Sequence, residues 1–408
     1  MNNKYSVVDK YFILWAFFIP ISSWVIDPQI KGSLISYLFA FLSPLIIICF
    51  QKNIVKNYFL DMIEIILVLL FFVLVSQLAN TIYNISLYDI LLVNPGDFDN
   101  KIFRNSLITQ NMYLIPVILT FLYVKYLYKP SWDKWIIYGG LVFVLYGFYK
   151  WLGFIITGTD IDFLTNRTFG DSDTVLYQYQ GMVLAGISLQ RFQSLTGEPS
   201  MFAFTMLPYF IFAIHRKANA FIIAIMGLSI LLSASLAAYL GLVIYIVYIV
   251  LISKKGKNFF KLLIGLIISC LILYVLFSKY VEDIIDITIL SKMDSTSGIV
   301  RSNDFFGDIN YFTELDVMHN LFGIGFGYIR SSNLFTTLLV NTGVIGVISF
   351  TYFYLKDFSL KAQSFIKQGN NSIILVLFVI SMVAVPEFSY LSFWIFLAIS
   401  KNNNIRQY

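Results

Sequence analysis

The chain has 408 residues, of which 58% are hydrophobic and only 12% charged, against roughly 45–50% and 25% for soluble domains. With a mean hydropathy of +0.77, this composition excludes an ordinary soluble enzyme and points to a protein that crosses a membrane many times. The net charge of +5 says little until the charges are assigned to sides of the membrane.

Lys4 and Lys10 precede the first apolar stretch as they would in a signal peptide. No small-x-small cleavage site follows, so a retained first helix is expected. Apolar runs predict twelve spans, at roughly 10–26, 33–50, 62–82, 107–125, 135–157, 199–214, 219–233, 235–252, 259–278, 333–355, 372–386 and 388–400. No repeat, low-complexity tract or soluble domain interrupts them, and 1–408 reads as a single transmembrane domain. With the N-terminus inside, 18 of the 28 lysines and arginines fall on the inner side. That bias predicts cytoplasmic termini in a multi-pass inner-membrane protein. Three long loops then face outward, at about 83–106, 158–198 and 279–332. Long loops are uncommon unless they do something, so the working face is expected to be the outer one, with 158–198 and 279–332 forming the site.

Cys49 and Cys270 lie inside apolar runs and read as neither disulfide partners nor catalytic thiols. Only His215 and His319 are present, so no metal site of the His/Cys type is expected. Glu64, Lys150 and Glu387 lie near predicted span ends. A transporter would place such groups nearer the midplane.

The loop at 158–198 ends in RFQSLTGEPS. Pro199 suits the first turn of a helix, which puts Glu198 at the positive end of its dipole. On local physics alone, Glu198 is equally a cap and Arg191 an interfacial snorkelling residue. The loop at 279–332 carries SGIVRSNDFF and then MHNLFGIGFGYIRSSNLFTTLLVNTGVIGV. Gly323, Gly325 and Gly327 recur at spacing two, and Arg330 and Asn333 lead into a span. Glycines let backbone amides approach a ligand, a helix start offers free N–H groups, and arginine adds a bidentate phosphate donor. The alternative is a plain turn into a helix; no Gly-Lys-Ser/Thr follows, so this is not a P-loop. Arg167, Arg191, Arg301 and Arg330 all fall outside, where clustering would attract a lipid diphosphate; scattered charge offset by Asp160, Asp162, Asp171, Asp173, Asp304 and Asp308 is the other reading. His319, the outward histidine, is either a general base or a capping residue.

RFQSLTGEPSMFA, SGIVRSNDFF, HNLFGIGFG and NLFTTLLVNTGVIGV together resemble the O-antigen polymerase (Wzy) and O-antigen ligase superfamily of bacterial membrane glycosyltransferases. In that family an Arg-x-x-Gly-x-x-x-Glu/Asn-Pro-like stretch precedes a span. A Gly-Ile-Gly-x-Gly element and an Asn-led helix with Gly-x-x-Gly follow one long loop later. Here Ser194 replaces the first glycine, while Gly197, Glu198 and Pro199 are in place.

The resemblance implies an all-α, GT-C-like integral membrane enzyme of about twelve transmembrane helices, with no cofactor and no metal. It implies a donor and an acceptor that are both glycans on undecaprenyl diphosphate, a surrounding of membrane lipids, and a chain-length regulator as partner. No nucleic acid is expected. The implied reaction polymerises oligosaccharide repeat units into O-antigen or a related surface polysaccharide at the periplasmic face. Ligases of the family carry a histidine near the start of the span after the last long loop, where SSNLFTTLL has none; this favours a polymerase. A ligase acting on lipid A–core and a lipid-glycan flippase remain the alternatives. The catalytic candidates are Glu198 and then His319; the substrate-binding candidates are Arg191, Arg301, Arg330, Gly323, Gly325, Gly327 and Asn333.

Overall fold

A computed structural model describes residues 5–88, 90–94, 98, 100–167, 181–184, 187–252, 296–360 and 364–402. The predicted span at 259–278, Cys270, and Asp171 with Asp173 lie outside the described residues. Within them the chain is overwhelmingly helical: α1 (Val7–Ala16), α2 (Ile35–Phe50), α3 (Lys52–Ile82), α4 (Asn105–Leu127), α5 (Asp133–Thr157), α6 (Pro199–His215), α7 (Ala220–Leu232) and α8 (Leu236–Ile252), then α9 (Thr296–Glu314), α10 (Val317–Phe322), α11 (Leu334–Leu355), α12 (Phe365–Val383) and α13 (Leu391–Lys401). One antiparallel hairpin, β1 (Gly181–Leu184) and β2 (Ile187–Gln190), is the exception.

Five of the described helices are long and apolar enough to cross a membrane: α3, α4, α5 with the turn before it, α11 and α12. Five shorter apolar helices, α2, α6, α7, α8 and α13, accompany them. The 31-residue α3 leaves Leu67, Phe71, Leu74 and Leu78 at least half exposed. Such a surface is stable only in apolar surroundings, as a membrane provides.

Several boundaries differ from expectation for local reasons. The run at 10–26 is helical only to Ala16, because Pro20 has no N–H and its ring would clash with the Ala16 carbonyl. By contrast α2 runs through Pro44, and the carbonyl of Ala40 that the proline leaves without a donor accepts the Ser43 hydroxyl at 2.7 Å. Helix α3 starts ten residues early, at Lys52, and carries Asp61 to the lysine end of the bundle, where Lys125 and Tyr126 bind it. Helix α5 stops at Gly158, whose φ of 71° closes a helix end at little steric cost.

The core centres on α4, α6 and α13: α4 packs against α2, α3 and α13, and α6 against α7, α8 and α12. A second, smaller core caps one end, where Ile85, Leu87, Leu92, Tyr311, Tyr328 and Ile329 pack together. The long loops expected to face outward are not structureless where described: 296–322 is mostly helix, Val93 N–H donates to the Tyr328 carbonyl, and Tyr311 donates to the Ser86 carbonyl. Charges segregate by end. Lys125, Lys129, Arg216 and Lys401 pair one-to-one with Asp61, Asp9, Asp133 and Asp357. The arginines discussed next lie at the other end of the same helices: Glu198 starts α6 and Arg216 ends it, and Arg330 precedes α11 while Lys356 follows it.

Candidate functional site

Arg191, Arg301, Arg330 and Glu198, drawn from loops more than a hundred residues apart, lie within electrostatic reach of one another. Burial pulls the Arg191 guanidinium below its usual range, Glu198 opposes that shift, and Arg301 adds to it. Arg330 is held above its usual range chiefly by Glu387, with Glu198 contributing. Tyr390 feels Glu387, Arg167 and Arg330 together. Four arginines and two glutamates thus form one charged cluster, an arginine chamber in the electrostatic sense, with Arg167 tied to it through Tyr390.

The four arginines are held differently. Arg191 Nε donates to the Ser233 carbonyl at 3.2 Å and its Nη2 to the Ala234 carbonyl at 2.8 Å. Those carbonyls follow α7, so the guanidinium sits at the negative end of a helix. Arg167 Nη1 donates to the Ser22 carbonyl at 2.9 Å. Arg330 forms an ion pair with Glu387 while 47% of its side-chain surface stays exposed; Glu387 is 6% exposed. Arg301 is half-buried, and among the described residues no hydrogen bond engages its guanidinium. Arg301 and Arg330 thus keep the most donor capacity for an anion.

Glu198 is the N-cap residue of α6 in extended backbone, with Pro199 at the first helical position. Its carboxylate does not cap the helix; Oε2 accepts the Ser200 hydroxyl at 2.9 Å. The loop before it is fixed from beneath. Lys150 and Asp162 form a buried ion pair at 2.6 Å, and Lys150 also donates to the Ser194 carbonyl. Ser194, where the resembled family has glycine, adopts a φ of 48° and donates its hydroxyl to the Phe143 carbonyl. The left-handed backbone explains why a glycine suits that position.

Helix α9 turns its charges inward. Arg301, Asp304, Asp308 and Tyr311 fall on one face by their three- and four-residue spacing, while Ile299 and Phe306 are exposed. Asp308 is 6% exposed and accepts the Thr336 hydroxyl at 2.8 Å. Burial raises both Asp304 and Asp308, offset in part by Arg301 for the first and by hydrogen bonding from Thr336 for the second.

The other sequence candidates belong to a separate, closed knot. His319 is fully buried; Nδ1 faces Asp316 and Nε2 faces Asn80 Oδ1 at 2.8 Å. No part of the ring reaches open space, so the histidine expected to be either a general base or a capping residue is enclosed by protein. The glycines are also committed to protein. Gly323 N–H donates to the His319 carbonyl, Ile324 N–H to Val340, and Gly325 N–H to Asn341. Those last two carbonyls are free because α11 breaks at Gly343, with φ 68°. Asn341 completes the joint with bonds to both the N–H and the carbonyl of Ile329. A Cβ on Gly323 would lie 2.2 Å from the Asn341 carbonyl carbon, and one on Gly327 2.5 Å from Gln110 Cβ. Asn333 caps α11 through the Thr336 N–H at 2.9 Å. The amides of Gly323 and Gly325 and the side chain of Asn333 therefore build the fold around Arg330.

Sequence reasoning met Glu387 only as a charge near a span end and Asp308 only as an offset to the arginines, and made neither a site candidate. Glu387 stands in VPEFSY between the apolar helices α12 and α13, a costly place for a carboxylate without a partner. Asp308 shares a helical face with Arg301, a spacing visible in the sequence.

A comparison with protein-family models finds no match, and a comparison with curated proteins finds none either.

Proposed function

We propose that the chain is a metal-independent glycosyltransferase that polymerises undecaprenyl-diphosphate-linked oligosaccharide repeat units into O-antigen or a related surface polysaccharide. In this reading it is GT-C-like, with about twelve spans, both termini in the cytoplasm, and the arginine chamber at the periplasmic face of the inner membrane. The observation that carries the reading is the meeting of Arg191, Arg301 and Arg330 with Glu198 and Glu387 at one end of an apolar bundle. Such a chamber suits a lipid-borne diphosphate, which has two charged phosphates at the membrane surface and an apolar tail.

The reaction follows from the parts. An acceptor sugar hydroxyl attacks the anomeric carbon of the donor glycan. The new C–O glycosidic bond forms as the C–O bond to the diphosphate breaks, and the lipid diphosphate leaves with the bonding electrons. Arg301 and Arg330 stabilise the charge that grows on it. Glu198 takes the acceptor proton, and Glu387 fixes the Arg330 guanidinium in place. The start of α11, where ligases of the resembled family carry a histidine, has none, which favours the polymerase over the ligase.

Deletion of the gene followed by glycan electrophoresis tests the reading. A ladder that collapses to one repeat unit on the core is the expected result. Loss of all glycan from the core, with lipid-linked polymer retained, overturns it in favour of a ligase.

A further inference from the structure

Helix α3 is hydrogen-bonded to the bundle near its ends and packs against it between only through one face, with Ile65, Leu69 and Val73 partly buried and Phe72 beside Phe322. At one end Asp61 accepts from Lys125 Nζ at 2.6 Å and from Tyr126 at 2.7 Å. At the other, Gln77 Oε1 accepts from Phe103 N–H at 2.7 Å and from Tyr328 at 2.9 Å. Between these anchors only 6% of its apolar window is buried against protein. A cavity of about 590 Å³ lies behind it, bounded by α3, α4, α11 and α13 and lined by side chains such as Leu69, Phe72, Leu114, Phe121, Leu338 and Phe350. On α4 its lining runs from Asn111 to Lys125, about 21 Å at the helical rise of roughly 1.5 Å per residue.

We propose that this cavity is a binding site for a zwitterionic phospholipid of the phosphatidylethanolamine type, with one acyl chain between α3 and the bundle and its headgroup at the lysine end. Three observations support this. The middle of the lining, with Leu69, Phe72, Leu114, Phe121, Leu338 and Phe350, offers water few polar partners and suits an apolar chain. The lining's length of about 21 Å is enough for one acyl chain, since each leaflet fills about half of a hydrocarbon core roughly 30 Å thick. The mouth carries one unpaired charge of each sign. Lys125 and Lys401 line it but are bound to Asp61 and Asp357. Glu64 and Lys356 also line it, and neither forms an ion pair among the described residues. A phosphate beside Lys356 and an ammonium beside Glu64 use both; a purely anionic headgroup leaves the carboxylate opposed to it. The lipid adds to the packing that Ile65, Leu69 and Phe72 already make on one face of α3. Through the Gln77 and Asn80 contacts to Tyr328 and His319, it also steadies the knot that carries Arg330. The inference does not depend on the glycosyltransferase reading.

The test uses the full chain, purified in mild detergent after exposure to vesicles of mixed phosphatidylethanolamine and phosphatidylglycerol. Native mass spectrometry reads the retained lipid, and thermal unfolding reads its effect, since a ligand of the folded state raises the melting temperature. The expected result is one phosphatidylethanolamine per chain, whose addition raises the melting temperature. Ser349→Trp puts an indole into the cavity from an exposed α11 position; it should fold, lose the lipid and lose the thermal response. Lys356→Gln, which cannot block the cavity, should weaken retention by on the order of tenfold. Equal retention of phosphatidylglycerol by the unaltered protein overturns the proposal. So does a folded chain that carries no phospholipid, a retained polyprenyl phosphate in its place, or full retention by Ser349→Trp.

Discussion

The arginine chamber and the His319 knot are both built largely from polar residues at one end of the bundle, yet they are finished differently. In the knot the His319 ring and the Gly323 and Gly325 amides are all answered, although Asn320 Oδ1 on α10 is buried without a partner. Both ring nitrogens of His319 face acceptors, Asp316 also takes the Met318 and His319 amides, and the Gly323 and Gly325 amides close on protein carbonyls. In the chamber, Arg330 leaves 47% of its side-chain surface open and Arg301 has no hydrogen bond to its guanidinium among the described residues. Burying a charge without full pairing is costly, so a fold that keeps such groups half-open does so for something other than stability. Residue type alone does not separate a site from a joint; the completeness of the hydrogen bonding does.

The comparison is open to test because changes in the chamber should cost rate and changes in the knot should cost stability. The largest effect belongs to Glu198→Gln, expected to lower polymerisation by roughly 10²–10⁴-fold, the usual worth of a general base, with the melting temperature unchanged. A full glycan ladder from that variant removes Glu198 from the chemistry. Gly323→Ala should do the reverse. It forces a side chain into φ 74° against backbone atoms, and the dihedral alone costs about 1–3 kcal/mol before the overlap is relieved. Its thermal unfolding should fall sharply, and an unchanged melting curve would show that the knot is looser than described.

His319→Ala should cost about 1–3 kcal/mol, because it leaves Asn80 and Asp316 facing a cavity, while activity per folded molecule persists. A large rate loss at normal stability would instead join the knot to the chamber and revive the ligase-like mechanism. Lysine substitutions separate the arginines themselves. Lysine keeps the charge and loses the planar fork, so Arg301→Lys and Arg330→Lys should both impair polymerisation at normal protein levels. Arg191→Lys should be milder, because two of the arginine's donors serve the end of α7. Equal activity in all three returns the arginines to surface anchoring.

The smallest effect concerns acid. Burial by itself would raise Asp316, but hydrogen bonds from the His319 ring and from the His319 and Met318 amides outweigh it and hold the carboxyl below its usual range. A carboxyl with a depressed folded value stabilises the protein above its unfolded value and loses that contribution as pH falls through the folded one. The difference in melting temperature between the unaltered chain and Asp316→Asn should therefore be full at neutral pH and shrink below about pH 4. A difference that stays constant down to low pH argues against the His319–Asp316 pair.

The sequence by itself determined the apolar helices, most of their ends and the grouping of charge. These depend on local quantities: runs of apolar residues, Pro199 and Gly158 at helix ends, and lysines gathered on alternate loops. It also marked Arg191, Glu198, Arg301 and Arg330, because charge next to a predicted span is conspicuous in so apolar a chain. Only the tertiary structure decided what each of them touches. The break of α11 at Gly343 frees two carbonyls, and these consume the amides of the glycine loop. The fully buried His319 finds partners 239 residues away at Asn80 and three residues away at Asp316. Glu387 meets Arg330 from 57 residues further along the chain. Hydrogen bonds form across whatever distance the packed helices close, and no local pattern records which donors the fold will leave unanswered.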